Sequence, residues 1–371
     1  MGLTEKKMLR KFILISSITF LSNSYAFDLD KLTSEENIKI NVYASNLNSP
    51  RQMTEGKKGT IFVGERSGQI IALFDSDGNG EADERRIIAK NLTFSTGVSY
   101  FGGDLYFSEI DSIWKIENIE NWLAINPTGI PKKTLVTNDL PDDEWHGWKW
   151  IRHDNEGYLY LNVGAPCNVC LSADKRHASI IKLENQSWKY VAKGVRNSVG
   201  FDFHPLSNKL YFTDNGRDWL GDDSPSCELN RVDSEGSFYG FPYKHALDII
   251  DPEFGDMQSG FDMVDPIAEL GAHVAPTGMT FYSANMFPNF ANNAFITLHG
   301  SWNRSSKVGY KVIRVIFDDQ GNVETIKDFI SGWLEGQTVH GRPAAPFIMS
   351  DGSILISDDK ANVIYRVTPS N

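Results

Sequence analysis

The sequence predicts an all-β protein folded as a six-bladed β-propeller of four-stranded antiparallel blades. Three observations predict this fold: a repeated two-strand pattern, a composition rich in aromatic residues and glycine, and the lack of a sustained amphipathic helical pattern. Aromatic residues make up 12% of the 371-residue chain, and 31 residues are glycine. This composition suits short strands joined by tight turns.

The repeat consists of an apolar, β-rich triplet, a polar turn and a second apolar strand. Six copies occur, and their triplets begin at Ile61, Leu105, Leu159, Leu210, Phe295 and Ile354. Four of the five intervals span 44 to 59 residues, close to the length of a four-stranded blade with its turns. The remaining interval of 85 residues predicts a loop insertion at about 219–273.

Two further segments complete the predicted architecture. The apolar strand 38–42 is expected to pair into the last blade and close the ring, which would hide the sheet edges. Residues 118–125 are expected to form at most a short helix. A β-sandwich is the competing fold, but a sandwich does not require six similar units.

The first 26 residues are expected to be a signal peptide that precedes a single catalytic domain, 27–371. Four cationic residues lie between positions 6 and 11, an apolar run occupies 12–21, and Ser24-Tyr25-Ala26 fits a small-x-small cleavage site. The apolar run is too short to cross a membrane, and no other run reaches that length. The sequence therefore predicts a periplasmic or secreted protein without a membrane span.

The net charge of the whole chain is opposite in sign to the charges predicted near its axis. The net charge is −12, which disfavours a nucleic-acid partner. Four blades nevertheless carry a cation or histidine 10 to 14 residues before their triplet: Arg51, His146, Arg196 and Arg342. Because this position lies beside the axis in a propeller, and Arg binds carboxylates bidentately, these residues predict a cradle for an anionic small molecule. The alternative is that each Arg pairs with a neighbouring Asp.

Two turns after triplets add to this face. Asp214-Asn-Gly-Arg-Asp218 could direct backbone carbonyls, including those of Gly216 and Arg217, at a hard cation such as Ca²⁺. His299-Gly-Ser-Trp-Asn-Arg304 supplies an aromatic side chain beside another Arg. The simpler interpretation of both is hairpin chemistry.

A separate loop, 75–83, resembles the first part of a calcium loop. Asp75, Asp77 and Asn79 occupy the first three ligand positions, with Gly80 at position 6. Position 12 is Arg86, where an EF-hand carries a bidentate Glu. A structural ion and a plain acidic turn therefore both remain open.

The three cysteines indicate a disulfide. Export favours oxidation, and Cys167–Cys170 is the shorter bridge, although Cys227 could compete for either partner. Leu171 follows Cys170, so the haem-attachment signature is not met and the sequence identifies no electron acceptor.

Several motifs together resemble the glucose/sorbosone dehydrogenases, closest to the sorbosone dehydrogenase-like and aldose dehydrogenase branch. The resemblance runs over about 47–367 and rests chiefly on Lys193-Gly-Val-Arg-Asn197, Asp214-Asn-Gly-Arg217, Gly300-Ser-Trp-Asn-Arg304 and Gly341-Arg-Pro343. Members of this family are six-bladed quinoproteins that use pyrroloquinoline quinone (PQQ) and calcium. The resemblance implies the same fold and cofactors here.

The resemblance also implies residue roles. His146 matches the histidine that removes the substrate hydroxyl proton. Arg196 matches the arginine over the reactive quinone carbonyl, Asn197 its neighbour on the cofactor, and Arg342 a ligand of a cofactor carboxylate. Gly216 and Arg217 match the turn whose backbone oxygens hold calcium.

The chain departs from the family at two places. Arg304 stands near the position of a cofactor-binding lysine, and so replaces it only by position. The stretch 165–167 stands where the family has an acidic residue that supports the histidine.

The function implied is PQQ- and calcium-dependent oxidation of an aldose, or a related sugar or aldehyde, at C1. Hydride would move to the quinone while His146 acts as general base. Two alternatives are a calcium-dependent propeller lactonase, which would need carboxylate and Asn ligands at the axis, and a non-catalytic propeller that binds a partner.

Overall fold

The computed structural model describes residues 28–257, 260 and 262–370, and it confirms the six-bladed propeller. The expected signal peptide, 1–26, lies outside the described residues. Within the described part of the chain, no helix is long and apolar enough to cross a membrane.

Each blade has four antiparallel strands, the first of which lies nearest the axis, and a short fifth strand extends the sheets of blades III and V. From innermost to outermost, the strands are, for blade I, Pro50–Glu55, Ile61–Glu65, Gln69–Phe74 and Glu84–Lys90; for blade II, Val98–Phe101, Asp104–Ser108, Ile113–Ile116 and Thr134–Thr137; for blade III, Ile151–His153, Leu159–Val163, Ser179–Glu184 and Ser187–Lys193; for blade IV, Phe201–Phe203, Leu210–Asp214, Ser226–Arg231 and Ala268–Ala272; for blade V, Pro276–Phe281, Ala294–Leu298, Lys311–Phe317 and Val323–Ser331; and for blade VI, Pro343–Ile348, Ile354–Asp358, Val363–Pro369 and Ile38–Ala44. The predicted triplets therefore all belong to second strands.

The ring closes as the sequence predicts. Ile38–Ala44 pairs antiparallel with Val363–Pro369, so the outermost strand of blade VI comes from the N-terminal side of the domain. The short strand Thr33–Ser34 then pairs with the outermost strand of blade V. Blade VI is thus built from both ends of the described chain, which ties the ring shut.

The smaller elements lie in turns and in blade IV's insertion. The α-helix Ile119–Ile125 confirms the short helix expected after blade II's third strand. The predicted insertion, 219–273, proves to include the third and fourth strands of blade IV, so the added segment is confined to 232–267. The remaining elements are the 3-10 turns Leu29–Lys31, Gly255–Met257 and Pro288–Phe290, and the short strands Ser237–Phe238, Lys244–His245, Ile249–Ile250, Leu334–Glu335 and Thr338–Val339.

The core consists of apolar layers between blades. Side chains alternate along each strand, so neighbouring residues face opposite neighbouring blades. Ile61 and Val63 pack towards blade VI, whereas Phe62 between them packs towards blade II. Equivalent layers occupy every interface between neighbouring blades in the described structure. This sandwiching explains why the second strands are apolar at consecutive positions.

Near the axis the innermost strands approach so closely that glycine is required. A Cβ atom on Gly278 would lie 2.7 Å from Ala345 Cα and 2.8 Å from Ala344 O. Gly200 on blade IV in turn lies against Gly278, since its Cβ would fall 2.9 Å from the Gly278 carbonyl carbon. Backbone, rather than a flexible side chain, would have to move to admit a methyl group.

We expect Gly278→Ala to destabilise the propeller by about 1–3 kcal/mol, because a methyl group overpacks the junction of blades V and VI. The free energy of unfolding from urea titration measures the change. Gly59→Ala is the control, because Gly59 has a φ of 82° but no atom lies within 4 Å of the place its Cβ would take. The loss of unfolding free energy in Gly59→Ala should reflect backbone strain alone. An equal loss of unfolding free energy in both variants would contradict the packing argument.

Candidate active site

A cavity of about 430 Å³ lies on one face of the propeller beside the axis. Six of the residues predicted from the sequence line it: Arg51, His146, Arg196, Asn197, Gly216 and Arg342. Arg51 lies within the innermost strand of blade I, whereas Arg342 directly precedes that of blade VI. His146 and Arg196 lie on the loops that enter the innermost strands of blades III and IV. The common position inferred from spacing therefore does converge on one place.

Asp359 organises the blade I and blade VI side of the cavity. Its Oδ2 accepts hydrogen bonds from Arg51 at 2.8 Å and lies 3.5 Å from Arg66 Nη1, while Oδ1 lies 2.8 Å from His299 Nε2. Burial alone would raise the pKa of Asp359, but Arg51 and His299 outweigh it and hold that pKa far below its usual range. Asp359 is therefore an anion, and it offsets one of the two guanidinium charges beside it.

The guanidinium of Arg342 has no carboxylate partner among the described hydrogen bonds and ion pairs, although the Arg342 backbone N–H donates to Asp358 Oδ1 at 2.8 Å. Its Nε donates to His299 O at 3.0 Å and its Nη2 donates to Gly300 O at 2.7 Å. The guanidinium carbon also lies 5.5 Å from the centre of the Tyr310 ring. Carbonyls and a ring orient this cation without neutralising it, so its charge is available to an anionic ligand.

Arg196 is held from several sides on the blade IV wall. Its guanidinium donates to Asn168 O and Oδ1, each at 2.8 Å, and to Asn215 O at 3.2 Å, and it pairs with Asp218 at 3.2 Å. These contacts fix the plane of the group before any ligand arrives.

The Arg196–Asn197 backbone rests on a buried carboxyl. Asp214 Oδ2 accepts from Arg196 N–H at 2.7 Å and Oδ1 accepts from Asn197 N–H at 2.6 Å. Burial raises the pKa of Asp214 to about 6, although these backbone donors oppose the shift. Asn197 Oδ1 is buried and has no hydrogen-bond partner in the described structure. An acceptor left unsatisfied at a cavity wall indicates a missing donor.

His146 lies on the blade III wall with both ring nitrogens engaged. Nδ1 lies 2.8 Å from Ala165 O, and Nε2 accepts from the indole N–H of Trp145 at 3.2 Å. The Nδ1–H tautomer satisfies both contacts and leaves the Nε2 lone pair as the basic site. The expected departure at 165–167 thus has a physical consequence: a backbone carbonyl supports the ring where the family has a carboxylate.

The surroundings of His146 keep it neutral. Burial, followed by the positive charge of Arg196, lowers its pKa to about 3, although the Ala165 carbonyl opposes the shift. Its backbone has φ of 55°, and Gly164 packs against it so closely that a Cβ there would lie 2.5 Å from His146 Cβ. The ring is therefore held in one place as an unprotonated base.

Two residues expected at the cofactor do not line the cavity. Arg304 pairs with Asp223 at 2.8 Å and donates to the carbonyl of Asp222. The guanidinium of Arg217 pairs with the buried Asp251. The preceding residue, Gly216, is the other expected calcium ligand, and it does line the cavity. Both guanidinium groups are thus committed to acidic partners, while the backbone oxygen of Arg217, the atom expected to bind calcium, stays a prediction.

The acidic loop lies apart from this cavity. Ligand oxygens of Asp75, Asp77 and Asp83 lie within 4.8 Å of one another. The Asn79 N–H donates to both Asp75 and Asp77, at 3.0 and 3.1 Å. This is the geometry of a self-bonded acidic turn, and an ion there stays a prediction.

Sequence reasoning missed residues that directly follow second strands. Arg66 and Asp359 stand immediately after the second strands of blades I and VI, and His299 stands at that position in blade V. Arg66 also lies over the Trp148 ring, 5.0 Å from its centre. An ionisable residue directly after the second strand, as in blades I, V and VI, is the signal that identifies this second position.

The cysteines resolve into one bridge and one thiol. Cys167 and Cys170 form a disulfide, while Cys227 is a free, buried thiol that lines the cavity. The bridge lies two residues from Ala165, so it braces the turn whose carbonyl holds His146.

A family model and several known sequences match this chain. A family model described as TrAA12-like matches residues 32–247 and 250–330. An uncharacterised protein of Borreliella burgdorferi is 34% identical over 98% of both chains. A PQQ-dependent pyranose dehydrogenase of Coprinopsis cinerea is 22% identical over 72% of this chain, which corresponds to 42% of that protein.

Solved structures show the same fold. The holo form of the Coprinopsis cinerea pyranose dehydrogenase PQQ domain has a TM-score of 0.76 at 17% identity, covering 91% of this chain and 97% of that one. A calcium structure of a Trichoderma reesei family AA12 enzyme has a TM-score of 0.76 at 19% identity, with 91% and 97% covered. The apo aldose sugar dehydrogenase of Escherichia coli has a TM-score of 0.61 at 15% identity, with 90% and 99% covered.

We expect the His146 ring to remain neutral well below the pH at which a free histidine takes up a proton, because its folded-state pKa lies near 3. Side-chain ¹⁵N chemical shifts of the ligand-free protein, assigned with His146→Gln, should show no protonation at pH 5. The urea-unfolded chain is the control and should titrate near pH 6.5. Between about pH 6.5 and pH 3, the unfolded chain binds this proton and the folded chain does not. The contribution of His146 to the free energy of unfolding should therefore fall as the pH falls through this range. Protonation of the folded ring near pH 6 would contradict this environment.

Proposed function

The chain belongs to the TrAA12-like family, and on that premise we propose that it oxidises an aldose or related sugar or aldehyde at C1, using PQQ and calcium. The family match confirms the resemblance to PQQ-dependent sugar dehydrogenases that the motifs indicated. The observation that carries the proposal is the convergence of Arg51, Arg66, Arg196 and Arg342 on one cavity that also contains a neutral histidine.

The donor set fits a tricarboxylic cofactor. Four guanidinium groups line the cavity, and Asp218 is the one acidic residue among its described lining residues. A second carboxylate, that of Asp359, pairs with Arg51. This leaves an excess of positive charge in a protein whose net charge is −12. Arg342, which has main-chain carbonyls as its polar partners, and the unsatisfied Asn197 Oδ1 both await ligand atoms. We assign Arg51, Arg196, Asn197 and Arg342 to the cofactor.

When bound, PQQ supplies the acceptor for the two electrons that leave the sugar as hydride. Arg196 can stabilise negative charge that develops on an oxygen at its wall of the cavity, because its guanidinium is already oriented by four polar contacts. Calcium is the second predicted component, with the backbone oxygens of Gly216 and Arg217 as ligands. A hard cation accepts such carbonyl oxygens readily.

His146 is the proposed general base. Ala165 O holds the Nδ1 proton, so Nε2 is the nitrogen that accepts the proton of the substrate hydroxyl. The Trp145 indole occupies that lone pair in the present structure, and the substrate hydroxyl must take its place. Without a carboxylate on Nδ1, the charged ring gains less stabilisation than in a His–Asp pair.

The alternatives fit the cavity less well. A propeller lactonase would hold its ion with carboxylate and Asn side chains at the axis, whereas Asp218 is the one carboxylate among the described lining residues. A non-catalytic binding module would not require a neutral, oriented histidine. A periplasmic or secreted location, an acceptor for the electrons and an ion in the 75–83 loop stay predictions.

We expect His146→Ala to lower kcat about 10²- to 10⁴-fold, the usual contribution of a general base. Protein purified without cofactor would be loaded with PQQ and Ca²⁺, and dye reduction would be followed with a panel of aldoses. PQQ affinity, measured by absorbance titration, should be largely retained in the variant. A rate within a few-fold of wild type would show that another group removes the proton.

We expect Arg342→Met to weaken PQQ binding about 10- to 100-fold, because a charge-assisted hydrogen bond contributes about 1.5–3 kcal/mol. The absorbance titration reports this without turnover. Arg304→Met is the matched control: its guanidinium lies with Asp222 and Asp223, so PQQ affinity should change less than about threefold. If PQQ affinity fell equally in both variants, Arg304 would also bind the cofactor, which would contradict its placement with these two acids.

A further inference from the structure

Two exposed tryptophans stand at the mouth of the cavity. Trp219 is 68% exposed and Trp302 is 66% exposed, and their ring centres lie 5.6 Å apart in an edge-to-face arrangement. Trp302 lines the cavity, while Trp219 directly follows the lining residue Asp218. The pair, here called the tryptophan platform, therefore extends outward from the proposed active site.

This exposure is selective. The chain has nine tryptophans, and among the described residues those that are largely exposed are Trp145, Trp219 and Trp302. Trp145 contacts His146, so all three lie at the same cavity. An indole left in water forfeits the burial that stabilises most tryptophans, and apolar surface concentrated at a cavity mouth indicates a ligand.

The platform rests on a braced support. Asn303 donates to Asp218 Oδ1 at 3.3 Å, which joins the loops that carry the two indoles. Arg304 joins the same loops through Asp222 and Asp223, and His273 Nε2 lies 2.8 Å from Gly221 O. Arg304 thus has a role that differs from the one suggested by its position in the sequence.

The backbone at Trp219 is strained. Its φ is 73°, in the left-handed region where a bulky side chain is a clear outlier. Such strain costs about 1–3 kcal/mol and persists where the surroundings impose it, often at ligand clamps. Asn303 and Arg304 hold the residues on both sides of Trp219 through Asp218, Asp222 and Asp223, and the Trp219 indole is left 68% exposed.

The chemistry of the rim favours a sugar ring over other occupants. An indole face packs against the apolar C–H face of a pyranose, and the carboxylates of the half-buried Asp222 and the exposed Asp223 can accept hydrogen bonds from hydroxyl groups. Those same carboxylates disfavour an anionic ligand. The cofactor's carboxylates already have their partners among the arginines deeper in the cavity.

We propose that the tryptophan platform binds a second sugar ring, so that the preferred substrate is the reducing end of an oligosaccharide. This rests on the proposed oxidation of a sugar at C1 in the cavity. The terminal ring would lie towards His146, and the ring linked to it would stack on the face of Trp219, with the nearly perpendicular Trp302 ring beside it. The platform would then favour oligosaccharides over free monosaccharides.

The test compares maltotriose, cellotriose and xylotriose with glucose and xylose. We expect at least one trisaccharide to have a higher kcat/KM than the monosaccharides. Trp219→Ala should lower the ratio of the trisaccharide kcat/KM to the monosaccharide kcat/KM about tenfold, because stacking on an aromatic side chain contributes about this much in other proteins. Leu206→Ala is the control, because Leu206 is an exposed apolar residue on the turn between the first two strands of the same blade. It should leave the ratio unchanged.

A binding measurement separates this proposal from the proposed function. Indole N–H resonances of Trp219 and Trp302 in cofactor-free protein should shift when one of the trisaccharides is added, and the shifts should vanish in Trp219→Ala. If no sugar is oxidised but the shifts occur, the platform stands and the oxidation does not. If none of the three trisaccharides shifts these resonances, or if the ratio is the same in Trp219→Ala, the platform proposal is wrong. Loss of PQQ affinity in Trp219→Ala would assign the platform to the cofactor instead.

Discussion

The convergence of four like-charged guanidinium groups on one cavity is the constraint to which the rest of this face is adapted. Cations placed this close repel one another, and their partial removal from water adds to the cost. Asp359 and Asp218 offset part of the charge, while the carbonyls of Asn168, Asn215, His299 and Gly300 orient the remaining donors. The cavity is therefore electropositive by construction, and an anion with several carboxylates relieves that repulsion.

The propeller architecture makes this arrangement possible. Each innermost strand begins beside the axis, so one residue per blade can reach a common point without any long loop. The apolar layers between blades fix the radial positions, and glycines such as Gly278 let the innermost strands approach closely. A single flexible loop carrying several arginines could not hold them apart against their freedom to pair with nearby acids.

The same cationic field sets the state of the proposed base. Arg196 disfavours a second positive charge on His146, and the Ala165 carbonyl supplies less compensation than a carboxylate would. The base is thus always unprotonated at neutral pH, and it is also weak in the ligand-free protein. An anionic cofactor would raise its proton affinity, so the residues that bind the cofactor also adjust the base.

The sequence alone determined the blade count, the ring closure and four lining residues, because alternation within strands and the spacing of repeats depend on local geometry that every blade shares. A turn motif added Gly216, and the resemblance to a known family added Asn197. The sequence could not determine the partners of Arg304 and Arg217, since their acids lie on other loops or in the insertion and no repeat offset relates them. The roles of Asp359 and Arg66 likewise depended on contacts across blades, and that of Ala165 on a contact between two loops of blade III. Tertiary structure decided which charges are neutralised and which remain free, because that depends on distances between segments far apart in the chain.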